Sequence, residues 1–474
     1  MKHKKIISVL LLCSFLLAGC GAQSEVSDSN SSVKMEETSA PTEAQTTEPE
    51  TEAVSETSPE TETDSESETH EETPEETVPE TEESTASVEI TSLIGENDIS
   101  AEFQENQMNL AVTLLRRRAE QDDNKNILIS PLSVSTALAM TANGADGSTK
   151  TQMEQFFNQD IDTLNTDLKN YTDSLTSSEK AKFVSANSVW IKQTNDITVK
   201  EDFLKTADEV YQAEVFEEPF TPDTKEKINH WVDENTDHMI DEIIDDINKD
   251  AVKYLINALT FDAQWSDQYD DYQVEDGIFT SADGTERTVS MMSSRESGYL
   301  DDGNATGFTK YYKGGYEFVA LLPNENTDIR NYLNTLDSEK ILDLLQHPQD
   351  FDVDAKLPAF ESEYEANLND TLKNMGIVDA FSHENADFSK MADVSGPGEK
   401  LCISNVLHKT YISVDKNGTK AAAVTSVEMM ATGSAPRKER EVKEVILDRP
   451  FVYMIVDTRN YLPLFMGFVT DIES

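Results

Sequence analysis

The chain has 474 residues and a formal net charge of −54, because 92 acidic side chains outnumber 38 basic ones. A field this negative repels phosphate backbones and anionic headgroups, which argues against nucleic acid as a partner and against electrostatic binding to membranes. Three cysteines, Cys13, Cys20 and Cys402, are too few for a disulfide-rich scaffold, and no Cys-x-x-Cys pair offers a zinc site.

Residues 1–19 have the pattern of a secretory signal peptide, with three lysines before an apolar run from Ile6 to Ala18 that is too short to span a bilayer comfortably. The run ends in Leu17-Ala18-Gly19-Cys20, which resembles the bacterial lipobox, where cleavage precedes the cysteine and the thiol is lipidated. The alternative is an ordinary secretory signal with an incidental cysteine. The position of Cys20 favours a lipid anchor at the extracellular face of the bacterial cell membrane, which would leave Cys402 as the one free thiol.

The region that follows, residues 20–97, is predicted to be a disordered tether. Between residues 21 and 90, 22 acidic side chains face the single Lys34, and Thr, Ser and Pro fill most of the rest. Such a composition forms no core, and its like charges extend the chain. A specific binding tail is the weaker alternative.

From about Ile99 to Asp471 the apolar residues become periodic, which indicates one domain over residues 98–474. Helical spacing predicts helices over 109–119 and 130–144, the second with Ser130 as its cap and Pro131 in its first turn. Helices dominate the first half and strands the second, which favours an α+β domain over a regular βαβ array. The predicted strands are short β-branched and aromatic runs, at 182–192, 254–261, 316–322 and 451–457.

A search for catalytic motifs is negative. The chain lacks the Gly-x-Ser-x-Gly elbow, the Gly-x-x-x-x-Gly-Lys-Ser/Thr loop and the His-Glu-x-x-His pair. Of seven histidines only His230 and His238 lie close together, eight residues apart on a possible helix, and no carboxylate pattern around them suggests a metal. We interpret them as solvated helix residues. The sequence therefore predicts a protein that is not an enzyme and has no cofactor.

The most informative segment runs from Val414 through Gly418 to Thr432. Written as a strand from Thr419, one face carries only small or apolar residues, and the other face carries the two charges, Lys420 and Glu428. The polar stretch 433–441 that follows is an exposed loop. Two readings are open: an ordinary strand that ends in a turn, or a mobile segment that becomes a strand later.

A series of ordered sequence blocks extends from about residue 98 to the C-terminus, over about 375 residues. The blocks are 126–133, 137–140, 144–149, 186–190, 228–232, 257–261 with Trp265, 357–360, 386–389, the segment around Gly418 and 449–453. In these blocks the chain resembles the serpin family, and a match of this extent makes coincidence negligible.

The resemblance implies an α+β fold with about nine helices, three β-sheets and an exposed reactive-centre loop, and a monomer that acts as a suicide substrate. In that mechanism a serine or cysteine endopeptidase cleaves the loop and forms an acyl-enzyme. The freed arm then inserts into the central sheet as a new strand and traps the protease as a covalent complex. The intact fold must therefore be metastable.

Five residues match the family's hinge, whose small side chains let the sheet accept the loop quickly: Gly418, Thr419, Ala421, Ala422 and Ala423. Family hinges commonly carry acidic residues before the glycine and after the threonine, whereas this chain has Lys416 and Lys420. We expect these lysines to change loop electrostatics without blocking insertion. The loop to Pro450 is also longer than in typical members.

Counting fourteen residues forward from Gly418 puts the cleaved bond between Thr432 and Gly433. Within two residues of it, the alternatives are Met430, Ala431 and Ser434. All of these side chains are small or medium and uncharged, so an elastase-like or subtilisin-like target is favoured over a trypsin-like one.

Four residues match the family's shutter, a polar cluster under the centre of the large sheet: Ser130, Ser133, Asn257 and His408. Trp265 matches the aromatic residue at the breach, where the loop first enters the sheet. The sequence thus predicts a surface-tethered inhibitory serpin. The rival predictions are a non-inhibitory binding protein with the serpin fold, which bulky or charged inward hinge residues would favour, and an extracellular hydrolase, which the missing motifs disfavour.

Overall fold

The structure is a computed structural model, and it describes residues 99–122, 125–175, 177–248, 251–395, 400–419 and 440–472. The predicted signal peptide, Cys20 and the acidic tether lie outside these residues. So do the hinge alanines 421–423 and every candidate for the cleaved bond.

The described residues contain nine α-helices. Ser100 caps the first helix by accepting a hydrogen bond from the amide of Phe103, and Ser130 caps the second by accepting from that of Ser133. None of the helices is long and apolar enough to cross a membrane. Their bounds are α1 Ala101–Gln121, α2 Pro131–Ala142, α3 Gly147–Phe157, α4 Ile161–Ser174, α5 Glu201–Tyr211, α6 Pro222–Asn235, α7 Ile329–Leu333, α8 Ser338–Gln346 and α9 Asn369–Asn374.

The strands form three sheets. A nine-stranded sheet has the order β1-β17-β16-β9-β8-β7-β10-β15, with β6 also paired to β7; a six-stranded sheet has the order β11-β13-β14-β5-β2-β4; and β12 pairs with β3. The bounds are β1 Ile127–Ile129, β2 Ala181–Lys192, β3 Ile197–Val199, β4 Glu214–Glu218, β5 Lys253–Gln264, β6 Val274–Thr280, β7 Glu286–Asp301, β8 Ala305–Tyr311, β9 Tyr316–Pro323, β10 Gln349–Pro358, β11 Phe360–Asn367, β12 Ala392–Val394, β13 Asn405–Val414, β14 Gly418–Thr419, β15 Val442–Ile446, β16 Phe451–Asp457 and β17 Leu462–Val469.

This architecture confirms the predicted α+β class with about nine helices and three sheets. Both predicted helices and the four short predicted strands coincide with observed elements of the predicted type, although α2 begins at Pro131, after its cap Ser130, and ends at Ala142 and not at Gly144. The possible strand over 419–432 lies, beyond Thr419, outside the described residues. The histidine interpretation is half wrong, because α6 ends at Asn235 and only His230 lies on it. His238 has a φ of 60° beyond the helix end, where a helix cannot continue.

Helix α2 lies at the centre of the domain, and all twelve of its residues are buried. It packs against β5 of the six-stranded sheet and against β17 of the nine-stranded sheet. A helix that is buried on every side must lie between other elements in this way. Its N-terminus, with Ser130 and Ser133, is thereby positioned beneath the six-stranded sheet.

A buried polar network around Arg118 joins α1 to the six-stranded sheet. Arg118 is 6% exposed, and its Nε donates to the hydroxyl of Tyr364 on β11 at 2.6 Å. Its Nη1 donates to Thr371 of α9 at 3.1 Å, and its Nη2 pairs with the carboxylate of Asp122. The guanidinium thus binds groups at the end of α1, on β11 and on α9 at once, and it fixes the position of β11.

We predict that Arg118→Ala lowers the free energy of unfolding by about 3 kcal/mol. Removing one member of a buried charge pair leaves its partner uncompensated, and Asp122, which is partly exposed, places the loss at the low end of the usual range. Arg117→Ala is the matched control, since Arg117 pairs with Glu120 at the surface and should contribute less than about 1 kcal/mol. Urea unfolding measures both, and equal losses would contradict the network.

Candidate functional site

The candidate site is the top of the six-stranded sheet, where the hinge enters it. The short strand β14, Gly418–Thr419, is antiparallel to both of its neighbours. Thr419 lies opposite Ala263 of β5 on one side and Val414 of β13 on the other, and Gly418 lies opposite Gln264. The first two residues of the predicted inserting segment are therefore already in the sheet.

Below this point β5 and β13 approach each other and pair directly. The direct pairing joins residues 254–256 to residues 405–407 in parallel. Between the direct pairs and β14 lie residues 257–262 of β5 and 408–413 of β13. If the register of β14 continued, Lys420 would lie opposite Asp262 and Thr425 opposite Asn257. Insertion beyond Thr425 would require the pairs between β5 and β13 to separate.

Gly418 passes so close to β5 that no side chain fits. A Cβ atom at this position would lie 2.0 Å from the carbonyl oxygen of Ala263 and 2.8 Å from the Cα of Gln264. Both contacts are to backbone, which cannot move aside without disturbing the strand. A glycine is therefore required at position 418, because the backbones of β14 and β5 approach each other closely there.

An aromatic cluster surrounds the docked hinge. The indole of Trp265 stacks on the ring of Tyr312 with centroids 4.1 Å apart, and the Tyr312 hydroxyl is hydrogen-bonded to that of Thr419. Lys310, which is 2% exposed, pairs with Glu296 at 2.7 Å and lies over the ring of Tyr269 at 4.3 Å. The point where the loop enters the sheet is thus shielded from water, and the polar side chains named here have partners.

The segment before the hinge is bonded to the chain around Trp265. Trp265 donates its indole N–H to the carbonyl of Asp415 at 2.8 Å and its amide to that of Asn417 at 2.9 Å. Tyr269 donates its amide to the carbonyl of Lys416 at 3.0 Å. Lys416 itself forms an exposed ion pair with Asp271. The lysine that departs from the family pattern therefore has an acidic partner here.

The four predicted shutter residues lie together, each at most 4% exposed. Asn257 belongs to β5 and His408 to β13, and Ser130 and Ser133 are at the start of α2 beneath them. The amide of Ser130 donates to Nε2 of His408 at 3.1 Å, and the amide of Ser133 donates to Oγ of Ser130 at 3.2 Å. The hydroxyl of Ser133 approaches the carbonyl oxygen of Asn257 at 3.5 Å. These bonds connect the start of α2 to both strands that would separate.

Burial lowers the pKa of His408 to about 4, and the nearby Arg118 guanidinium acts in the same direction. The ring is therefore neutral at physiological pH. Because Nε2 accepts the Ser130 amide, the ring proton is on Nδ1. Protonation of Nε2 would break this hydrogen bond.

Sequence reasoning missed several residues of the site. Asn187 accepts a hydrogen bond from the side-chain amide of Asn257. In the sequence, Asn187 is only one residue of the matching block 186–190. Tyr312, Lys310 and Glu296 carried no signal at all, since an aromatic residue and a pair of charges on ordinary strands are common. Only the pairing of distant strands brings them to Trp265.

Comparison with known proteins identifies the family. Residues 105–472 match the family model for serpins, the serine protease inhibitors. The chain belongs to the serpin family. An uncharacterised serpin-like protein of Thermococcus kodakarensis is 31% identical over 353 residues, covering 73% of this chain and 80% of the relative.

Solved serpin structures agree with the fold. The native state of tengpin, a thermophilic serpin, superposes with a TM-score of 0.74 at 42% identity, covering 80% of this chain and 96% of tengpin. Human thyroxine-binding globulin complexed with thyroxine has a TM-score of 0.70 at 26% identity, covering 79% and 99%. The serpin family thus contains protease inhibitors and also a thyroxine-binding globulin.

We predict that the stability of the protein falls as the pH drops from 6.5 to 4, partly because of His408. In this window the unfolded chain, with an ordinary histidine pKa of 6.5, binds a proton that the folded site with a pKa of about 4 refuses. The loss of unfolding free energy due to His408 is small above pH 6.5, and it reaches a maximum of roughly 3 kcal/mol below pH 4.

The measurement is the urea midpoint between pH 7.5 and 4 for the wild-type protein and for His408→Gln, which keeps a hydrogen-bond acceptor. The wild type should lose more stability than the variant over this range. His347→Gln is the control, because His347 is exposed beside Asp343. Parallel pH curves for all three proteins would contradict the prediction.

Proposed function

We propose that this serpin is a suicide-substrate inhibitor of serine endopeptidases. The observation that carries the proposal is the docked hinge: Gly418 and Thr419 occupy the top of a strand position between β5 and β13. A loop that is cleaved further along could continue in the same register. Each added residue would gain backbone hydrogen bonds on both sides, which is the source of the free energy that insertion releases.

The side-chain pattern of the loop supports insertion. Thr419 shares the buried face of the sheet with Ala263 and Val414. By alternation Ala421, Ala423 and Thr425 would follow on that face, while Lys420 would point outward. Small inward residues add little volume to a packed interior, so the sheet can accept them without large rearrangement.

The target we propose is an elastase-like or subtilisin-like protease, with cleavage between Thr432 and Gly433 or at Met430, Ala431 or Ser434. Small or medium uncharged residues fit a shallow apolar specificity pocket. Cleavage after Arg437 would leave an arm five residues longer than one ending at Thr432, which adds about 16 Å of slack at 3.3 Å per residue. A slack arm pulls less tightly, so we infer that trypsin-like proteases cleave the loop as an ordinary substrate.

The second candidate is a non-inhibitory binding protein with the serpin fold, and the likeness to thyroxine-binding globulin favours it.

For the location we propose a lipid anchor at Cys20 on the extracellular face of the bacterial cell membrane, with the acidic tether holding a monomeric inhibitor away from the bilayer. Metabolic labelling with a fatty acid, compared between the wild type and Cys20→Ala, tests this anchor.

We predict that a covalent complex that survives SDS forms with elastase or subtilisin, and does not accumulate with trypsin. The purified protein is mixed with each protease, and mass spectrometry of the released C-terminal peptide locates the cut. A stable trypsin complex cut after Arg437 would show that the register counted from Gly418 is wrong. Cleavage by every protease without any complex would favour the binding-protein alternative.

We further predict that Thr419→Arg converts the inhibitor into a substrate. The Thr419 side chain is 1% exposed, so the substitution would require burying a charge in the sheet at a free-energy cost of several kcal/mol. The loop should be cut and the protease released active. Ser413→Arg is the matched control, because it adds the same charge to the outward face of β13. Complexes of equal yield from both variants would argue against insertion.

A further inference from the structure

Two hydroxyls that lie 107 residues apart in the chain meet at the docked hinge. The hydroxyl of Tyr312 and that of Thr419 form a hydrogen bond, and the two residues are 3% and 1% exposed. Neither hydroxyl has free access to water in this position. A buried hydroxyl that loses its partner pays the full cost of desolvation, so the bond should favour the docked position of Thr419.

The Tyr312 hydroxyl is held in place by contacts that do not involve the loop. The ring stacks on Trp265 and meets the ring of Phe261 edge to face, with centroids 5.3 Å apart. The backbone of Tyr312 forms a β-bridge with Trp265, and its amide donates to the carbonyl of Tyr316 at 2.9 Å. The position of the Tyr312 hydroxyl, with which Thr419 is hydrogen-bonded, is therefore set by the sheet itself and not by the loop.

We propose that Tyr312 is a positioning residue for loop insertion. Its hydroxyl holds Thr419 opposite Ala263 and Val414 in the intact protein, so that Gly418 and Thr419 form the first residues of the new strand before any bond is cut. The consequence for protease trapping rests on the inhibitory function proposed above. The docking itself does not, because it concerns the uncleaved protein.

Docking in this way sets the register of the new strand before it grows. A new strand must first find its register, and a shift by one residue would put its small side chains on the wrong face. Thr419 fixes that register at the top of the sheet. The residues that follow can then add one at a time, each in its correct position.

Hydrogen exchange of the intact protein tests the docking. In Tyr312→Phe and in Thr419→Val, the amides of Trp265, Tyr269 and Asp415, which donate to carbonyls of residues 416–418, should exchange about three to ten times faster. That factor corresponds to the loss of one ordinary net hydrogen bond. Gly418→Ala should also accelerate exchange, because its Cβ would collide with the backbone of β5.

Two controls separate the hydroxyl contact from general loosening of the core. Thr419→Ser keeps the hydroxyl and should exchange like the wild type. Tyr171→Phe removes another buried hydroxyl, one for which the described residues provide no hydrogen-bond partner, and should leave these amides unchanged. The double variant Tyr312→Phe/Thr419→Val should exchange no faster than either single variant, because both remove the same bond. Unchanged exchange in the single variants, or additive effects in the double variant, would overturn the proposal.

A second measurement connects docking to trapping. The partition ratio of elastase inhibition, which is the stoichiometry of inhibition minus one, should rise about three- to tenfold in Tyr312→Phe and stay unchanged in Tyr171→Phe. If exchange is faster but the stoichiometry is unchanged, Tyr312 docks the hinge in the intact protein, and the proposal that it positions the loop for insertion is overturned. If the wild type forms no complex and its melting temperature does not rise after loop cleavage, the inhibitory function fails, and the exchange data still decide whether Tyr312 docks the hinge.

Discussion

The pairing between β5 and β13 is the constraint on which the rest of the domain depends. At one end the two strands are joined directly, through residues 254–256 and 405–407, and at the other end Gly418 and Thr419 separate them. Two parallel strands cannot be both adjacent and divided by a third along the same length. The sheet must therefore change its strand order if the loop goes further, and the surrounding structure has to permit that change.

The polar residues beneath the sheet meet this requirement. An apolar core would seal the two strands together, whereas hydrogen bonds among Ser130, Ser133, Asn257 and His408 can be exchanged for others without leaving a void. The neutral state of His408 is part of the arrangement, since its Nε2 must be free to accept the Ser130 amide. Helix α2 supplies both serines from a position that is buried on every side.

Charge has separate roles at the surface and in the interior of this acidic protein. At the surface, Lys416 before the hinge forms an exposed ion pair with Asp271, and such a pair contributes little to stability. The pair of Lys310 and Glu296 is nearly buried beside Trp265, where both charges depend on each other and on the aromatic rings. Arg118 has a comparable role at the edge of the six-stranded sheet, because its buried charge is hydrogen-bonded to Tyr364 of β11.

The type of the predicted helices and strands could be inferred from the sequence, whereas the pattern of the loop beyond Thr419 lies outside the described residues and stays a prediction. Alternation along 419–432, the Ser130-Pro131 helix start and the β-branched runs are local patterns, and local backbone preferences act over the same few residues. The family resemblance added the polar cluster and Trp265. Only the tertiary structure decided which residues meet the hinge. Thr419 meets Tyr312 across 107 residues of chain, and Arg118 meets Tyr364 across 246. Such contacts depend on the register between strands that are distant in sequence, and no local pattern encodes that register.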